Sequence, residues 1–468
     1  MQKTKKTAQG VLIIPMGEGT LATLTHQVAV VHREGCGRVS QQWLSACSEQ
    51  RASTRGLLGR VIDPVNLMRA YRRVVSNAGS AGVDGMSVKE LKGWLRQNYG
   101  WLKEELVEGR YRPKAVREVE IPKPGGGMRK LGIPTVIDRL IQQAIGQVLS
   151  VDYESIFSEY SYGFRPKRNA HQALGKAGSY VSAGKGWIVD LDLEKFFDKV
   201  NHDRLMWLLS RRIADKVLLR LIRRYLESGI LKGGLVSQRR QGTPQGSPLS
   251  PLLSNIVLDE LDKELERRGL SYVRYADDVK IFVSSRRSAE RVKERITTYI
   301  TTKLKLKVNE QKSKVCEGYE LNFLGHSLLK DGSLGLSEES EKRLRSKVRH
   351  ITRRNRAVNM WQMIRELQVV LKGWLQYFRH ATMQKRLERM DGWIRRKLRC
   401  VRLKQCKRRI ALVRWLRSLG MTEKRCWLTA LSGKGWWRLS NSPAVNEAMN
   451  KEWFALQGYY SLAAHYHR

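Results

Sequence analysis

The chain has 468 residues, of which 87 are Lys or Arg and 44 are Asp or Glu, giving a formal net charge of +43 at pH 7. With 41% hydrophobic residues and a mean hydropathy of -0.45 it is neither a wholly disordered tail nor a membrane protein, and at ~100–200 residues per domain it has room for two to four domains. So large a positive excess repels itself in a compact fold unless a polyanion offsets it, which points to nucleic acid first, to an anionic membrane surface second, and away from small acidic substrates.

Residues 1 to 60 mix Gly, Ser, Thr and isolated apolar residues without a sustained period and read as an extension, partly disordered. The apolar run Val11 to Ile14 is too short for a signal-peptide core, and nowhere do about 18 apolar residues run together to span a bilayer. Cys36, Cys47, Cys316, Cys400, Cys406 and Cys426 lie far apart with no C-x-x-C pair, which indicates a reducing compartment and neither a disulfide framework nor a zinc ribbon. From Pro64 the residues Leu67, Ala70, Tyr71 and Val74 recur at helical spacing; Gly79, Gly82 and Gly85 then mark a loop before a second helix near Ser87.

Glu118 to Ile121 alternates like a strand, Pro122 to Gly127 is a turn and Met128 to Ile133 returns, giving a basic hairpin with Lys123, Arg129 and Lys130. Helices are expected over Val136 to Leu149 and around Ala170 to Ala183, and a buried strand over Gly186 to Leu193. Strands Tyr272 to Ala276 and Val279 to Ser284 flank Asp277-Asp278 in a tight hairpin. After Ser337 long amphipathic helices take over, one stripe running through Trp361, Ile364, Leu367 or Gln368, Leu371, Trp374 and Phe378 and another through Leu387, Met390, Ile394, Leu398 and Val401. Between Glu341 and Ile410 stand 23 Lys and Arg against 4 Asp and Glu, so +19 of the net charge sits in 70 residues.

The acids are the minority, and four of them are badly placed for solubility alone. Asp277 and Asp278 are adjacent in a turn, where like charges repel unless a cation lies between them. The apolar strand Trp187 to Asp192 puts Asp190 and Asp192 on one face near its end, and a buried strand carboxylate needs a partner. One account is a salt bridge to Arg or Lys. The other is a site of hard oxygen donors at neighbouring strand ends, suited to Mg²⁺.

Tyr275-Ala276-Asp277-Asp278 resembles the Y-A-D-D box of reverse transcriptases, and the order of the surrounding blocks resembles the reverse transcriptase and maturase proteins encoded in bacterial group II introns. The resemblance covers about residues 60 to 430. Its blocks are Asn77 to Gly85, Met128 to Pro134, Tyr162-Gly163-Phe164-Arg165-Pro166, Asp192 to Asp198, Gly242-Thr243-Pro244-Gln245-Gly246-Ser247-Pro248, the Asp-Asp box, Leu306 to Lys312, and Leu321-Asn322-Phe323-Leu324-Gly325-His326. Each is weak alone, and eight in the family's order are not. In the basic helical module Gly373-Trp374-Leu375-Gln376-Tyr377-Phe378 looks like the family's G-W-x-x-Y-F signature.

The resemblance implies an α+β fold: a right-hand polymerase whose fingers and palm, with an antiparallel sheet, precede an α-helical thumb/maturase (X) domain. The expected division is an extension over 1–60, an N-terminal extension block of the reverse transcriptase over 61–115, fingers and palm over 116–335, the helical domain over 336–430, and a C-terminal segment over 431–468. Carried over by position, Asp192, Asp277 and Asp278 are the catalytic metal ligands for two Mg²⁺ ions, with the Leu193 carbonyl completing the set. Asp192 is chosen over Asp190 because an aromatic follows it at the family's spacing of five residues. Lys123, Arg129 and Lys130 would grip the triphosphate, Phe197 would stack under the deoxyribose and exclude a 2′-OH, and Gln245 and Gly246 would line the sugar pocket. Arg165, Lys312, Phe323, Leu324 and Gly325, and Arg395, Arg396, Lys397, Arg399, Arg402 and Lys404 on the basic helix, would contact nucleic acid. His202 and His326 lie near these blocks but read as structural hydrogen-bonding residues.

The function implied is an RNA-directed DNA polymerase that also binds its group II intron RNA and assists splicing and retrohoming. Its partners would be dNTPs, an RNA template with a DNA primer, and target DNA, with no membrane, in the bacterial cytoplasm in association with nucleic acid. The last part of the chain lacks the Cys and His ligands of the family's endonuclease module, so a compact, endonuclease-free form is expected. Two alternatives share these residues: a host-adopted reverse transcriptase in defence or repair, and a non-enzymatic splicing cofactor with a decayed polymerase, against which the intact Asp192, Asp277 and Asp278 argue.

Overall fold

The computed structural model describes residues 56–122, 127–232, 235–238 and 241–466. Most of the expected extension and Lys123 lie outside the described residues. The end of the extension is α1 (Leu57–Ile62), whose Leu57, Leu58, Val61 and Ile62 are all buried. In α2 (Pro64–Ser76), Asp63 caps the helix by accepting from the amides of Val65 and Asn66, and Pro64 occupies the first turn, where no amide is needed. The next helix, α3 (Leu91–Val107), begins a turn later than expected, because the Glu90 carboxylate first accepts from the Ser87 amide at 2.7 Å.

The basic hairpin forms as β1 (Val116–Pro122) and β2 (Met128–Ile133), with Glu120 opposite Lys130. Thr135 caps α4 (Val136–Glu154), and a capping box of Asn169 and Gln172 starts α5 (Ala170–Ser182). Then come β3 (Trp187–Asp192), the short α6 (Phe196–Lys199), α7 (His202–Ser210) and α8 (Lys216–Glu227). Two strands that the sequence pattern does not announce follow, β4 (Ile230–Lys232) and β5 (Leu235–Ser237); each is three residues long. They extend the fingers sheet to the order β2-β1-β4-β5, in which β4 runs parallel to β1.

After α9 (Ser250–Arg267) the hairpin strands are β6 (Ser271–Tyr275) and β7 (Asp278–Val283), followed by α10 (Arg286–Thr302) and β8 (Lys314–Glu317). The palm sheet has the order β6-β7-β3-β8 and is antiparallel throughout. Both faces are covered: Val189, Leu191, Val279 and Ile281 join the core built on α4 and α9, while Ile188, Val273 and Phe282 pack with Phe323 and α5. Burial on both sides is why these strands read as apolar runs. The β3–β7 register stacks three cross-strand pairs on the second face: Ile188 with Phe282, Asp190 with Lys280, Asp192 with Asp278.

A small hairpin, β9 (His326–Leu328) and β10 (Leu334–Leu336), leads into α11 (Glu338–Ile351), α12 (Met360–Phe378) and α13 (Gln384–Gln405). The α13 stripe is buried as expected, but on α12 the buried line is Met360, Met363, Ile364, Leu367, Leu371, Leu375 and Phe378. Trp361 and Trp374 stand at its edge, and the Trp361 indole N–H donates to Gln457 at 2.7 Å. The remaining helices are α14 (Arg409–Ser418), α15 (Glu423–Ala430), α16 (Trp436–Leu439), α17 (Pro443–Ala448), α18 (Lys451–Leu456) and α19 (Leu462–His465). Val445, Met449, Phe454 and Leu462 are buried in the same cluster as Leu336 and Leu398, so the segment after residue 430 packs into the helical core.

Candidate active site and nucleic-acid surface

Tyr275 pairs with Asp278 across the β6–β7 hairpin, leaving Ala276 and Asp277 as a two-residue turn. Turns this tight call for left-handed backbone, and Ala276 has φ +59°, which costs an L-residue roughly 1–2 kcal/mol unless neighbours hold it. Arg274, fully buried, donates to the Ala276 carbonyl at 2.9 Å and forks onto Asp262 at 2.7 and 2.5 Å. On the other side, a Cβ on Gly163 would stand 2.2 Å from the Ala276 nitrogen, so only glycine lets the Tyr162-Gly163 segment lie against the turn. Asn255 ties these supports together, accepting from Arg274 and donating to the Gly163 carbonyl, both at 2.9 Å.

The turn delivers Asp277 to a cavity of about 1210 Å³ that Asp192 also lines. Its walls are Met128 to Leu131 of the fingers hairpin, Leu193 to Asp198, Gln245, and Lys307 to Lys312. Burial raises the Asp277 carboxyl above the usual carboxylate range, and the charge of Asp192 raises it further. The ammonium of exposed Lys312 lies 3.6 Å from Asp192. Asp278 is placed differently: its carboxylate contacts Lys280, a buried cation that also contacts Asp190. Ion pairs thus reach Asp190, Asp278 and Asp192 alike, through Lys280 and Lys312, and of the strand-end carboxylates Asp192 and Asp277 line the cavity.

The fit to Mg²⁺ rests on that donor set. The charge of Asp192 beside Asp277, whose carboxyl burial already raises, is a repulsion that a dication relieves, and Leu193 lines the same cavity. The backbone bonds beside Leu193 run through its neighbours, from Asn309 to the Asp192 carbonyl and from Glu194 to the Lys307 carbonyl, both 2.8 Å. Among the described residues no three His, Cys, Asp or Glu side chains cluster closely enough to hold an ion alone.

The expected nucleotide-pocket residues converge on the same cavity. Arg129 donates to the Gln245 side chain at 2.8 Å, and the Gly132 amide donates to the Gln245 carbonyl at 2.8 Å, so the Gln245-Gly246 loop is fastened to β2. Gly246 has φ +113°, a region open to glycine. The Phe197 ring lies against Phe196 and Phe164 at centroid distances of 5.5 and 6.5 Å, and its carbonyl accepts from Thr243 at 2.6 Å. Lys130 lies 3.5 Å from Glu118 on the exposed side of the hairpin.

Several expected nucleic-acid contacts are internal instead. Arg165 is buried, ion-paired to Glu154 at 2.8 Å and bonded to the Ser161 carbonyl at 2.8 Å. Arg399 is buried too, donating twice to the Met449 carbonyl at 3.0 and 2.7 Å and once to Asn446; burial pulls its pKa down to about 10. Phe323 is core, while Leu324 and Gly325 form a left-handed turn packed on the helical domain: Tyr377 donates to the Leu324 carbonyl at 3.0 Å, and a Cβ on Gly325 would meet Ser340 at 2.8 Å. Arg396 and Lys397 lie over the Trp437 ring at 4.1 and 5.7 Å, and Arg402 over Trp415 at 4.6 Å. Arg395 is half-buried, and Lys404 is exposed. His202 and His326 are structural, bonded to the carbonyls of Gly242 and Leu324. Arg274, Asp262 and Lys280 went unread in the sequence, although a basic residue inside an apolar strand is itself a signal of a buried partner.

Among the described residues no helix is long and apolar enough to cross a membrane. The profile of the reverse transcriptase (RNA-dependent DNA polymerase) family matches residues 121–328, and that of the group II intron maturase-specific domain matches residues 341–419. Protein YkfC of Escherichia coli is 32% identical over 332 residues, 62% of this chain and 86% of that protein. Group II intron-encoded protein LtrA of Lactococcus lactis subsp. cremoris is 30% identical over 342 residues, 58% of this chain, which spans only 57% of its relative. Nuclear intron maturase 3 of Arabidopsis thaliana is 27% identical over 228 residues, 42% of this chain and 31% of that protein. With both domains matched in chain order and most of one relative covered above 30% identity, the chain belongs to the family of group II intron-encoded reverse transcriptase and maturase proteins.

Proposed function

We propose that this chain extends a DNA primer on an RNA template from dNTPs at the cleft between Asp192, Asp277 and the fingers hairpin, and that it binds its own group II intron RNA, aiding splicing and target-primed insertion into DNA. The observation that carries the reading is the mutually repelling pair Asp192 and Asp277, facing Arg129, Phe197 and Gln245 across one cavity. Fingers and palm would span 116–335, with the helical RNA-binding domain following.

Asp192, Asp277 and Asp278, with the Leu193 carbonyl, would hold two Mg²⁺ ions, which when bound offset charge on the attacking and leaving oxygens of an in-line phosphoryl transfer. Arg129, oriented by Gln245, would grip the triphosphate bidentately, with Lys130 adding a point charge. Phe197, wedged between Phe164 and Phe196, would present a ring face to the sugar and leave no room for a 2′-OH. Positioning carries most of such a reaction, and no side-chain base is called for.

Primer extension on an RNA template with dNTPs and Mg²⁺ tests this. Wild type should extend, and Asp277→Ala should lose activity by about a thousandfold or more, a loss of ~4 kcal/mol of transition-state stabilisation. An inert wild type that still binds intron RNA would favour the splicing-cofactor reading.

A further inference from the structure

The middle rung of the β3–β7 ladder is an ion pair between two rungs of other kinds. Below it Ile188 and Phe282 are apolar and buried; above it Asp192 and Asp278 face each other with like charge. Carboxylates directly opposite on a sheet are destabilising, and among the described residues the buried cation in contact with this rung is Lys280. Its ammonium contacts Asp190 across the rung and Asp278 two residues back on its own strand. Only 3% of its side chain is exposed. The ring of Phe323 lies over it at 5.7 Å, closing the pocket from the side of the Phe323 to His326 turn. Lys314 also stands in register with Asp190, on β8, but its ammonium is at 3.4 Å from the Glu320 carbonyl. Lys280 itself is not among the residues that line the cleft.

We propose that Lys280 is the positioning residue of the catalytic carboxylates: anchored by Asp190, it fixes Asp278 and reduces the negative charge that Asp192 and Asp277 present, and so sets how tightly the cleft takes a divalent cation. The inference rests on the polymerase reading above. Asp190 then tunes the site at one remove, by sharing the charge of Lys280 with Asp278. Removing Lys280 strips positive charge from beneath the site and strengthens cation binding. Removing the Asp190 charge leaves Lys280 wholly to Asp278 and weakens it. A purely structural salt bridge gives no such opposition of sign.

The test is an electron paramagnetic resonance titration of Mn²⁺ into the full chain at pH 8 without nucleotide, with Asp277→Asn as the site-deficient control, alongside primer extension. Lys280→Met should tighten Mn²⁺ binding by roughly tenfold and Asp190→Asn should weaken it by a similar factor, the scale of one unit charge several Å away in a partly screened medium. The double variant, which removes both charges, should return to within about threefold of wild type by the same reckoning, yet extend primers slowly even at saturating Mn²⁺ because Asp278 has lost its support. Should Lys280→Met fail to fold, the weakening in Asp190→Asn and its reversal in the double variant carry the sign. Unchanged affinities, or shifts in the same direction, would overturn the role of Lys280. A wild type that binds no more Mn²⁺ than Asp277→Asn removes the metal site, and the polymerase reading falls with it.

Discussion

His326 shows how much one buried side chain can ask of its surroundings. Its Nδ1–H donates to the Leu324 carbonyl at 3.1 Å, Nε2 is buried without a hydrogen-bond partner, and Tyr377 and Phe378 pack on the ring. Burial, with smaller effects of His171 and His380, takes its pKa from 6.5 down to about 4. Between those values the unfolded chain binds a proton that the folded chain refuses, so the stability held above pH 6.5 is lost as pH falls toward 4, by on the order of 3 kcal/mol. His326→Leu should remove this dependence: melting temperatures of variant and wild type, compared from pH 7 to pH 4, should draw together or cross as pH falls. Parallel curves would mean that the imidazole is not held neutral. The same contrast explains what single residues disclosed in advance. Asp192, Asp277, Arg129 and Gln245 were legible because they stand in the family's sequence blocks, and the fold brings all four to one cavity. Arg165 and Arg399 look like surface arginines in sequence, and only the carbonyls of Ser161 and Met449, distant in the chain or fixed by a turn, reveal that they are internal.

The same dependence on distant partners governs whole elements. Strands β3, β6 and β7 were readable as apolar runs because helices cover both faces of the sheet, whereas β4 and β5 are too short to show a period and exist because β1 offers an edge. The α12 stripe was read correctly at Ile364, Leu367, Leu371 and Phe378 and missed at Trp361 and Trp374, which are hydrophobic by composition yet serve as edge residues. Least legible was the end of the chain, which is held to α13 by a buried acid: Asp391 accepts from Tyr459 and Ser461 at 2.8 Å each and from the amides of Leu462 and Ala463 at 3.0 and 2.9 Å, capping α19. Asp391→Ala leaves those four donors without their acceptor in a largely dry site, which should cost ~3 kcal/mol or more and lower the melting temperature of the helical domain by several degrees. Asp391→Asn, which keeps one acceptor oxygen, should fall between. Equal melting temperatures for all three proteins would show that the C-terminal segment is only loosely attached.

At the scale of the whole molecule the net charge of +43 needs somewhere to go. Acids absorb part of it in the helical domain, as in Arg356 with Glu366 at 2.9 Å and Arg345 with Glu341 at 2.9 Å. Indole faces take more: Arg345, Arg349 and Lys397 all lie over Trp393 within 5.6 Å, and Arg402 lies between Trp361 and Trp415. Stacking of this kind leaves the charge in place while paying part of its desolvation, so the domain folds without a matching number of carboxylates. One exposed run, Lys404, Lys407, Arg408 and Arg409 at the end of α13 and the start of α14, has no acid nearby in sequence. Phosphates are the counter-ions that such a run lacks, and each contact releases condensed cations from the RNA. Intron-RNA affinity should therefore fall steeply with salt, and reversing Lys404, Lys407 and Arg408 to Glu should flatten the slope of log K against log salt by about 0.7–0.9 per lost contact. Arg399→Ala should instead lower the melting temperature and leave the slope of the folded fraction unchanged, because its guanidinium never faces the RNA. A slope that ignores the three reversals would move the RNA to another face of the helical domain.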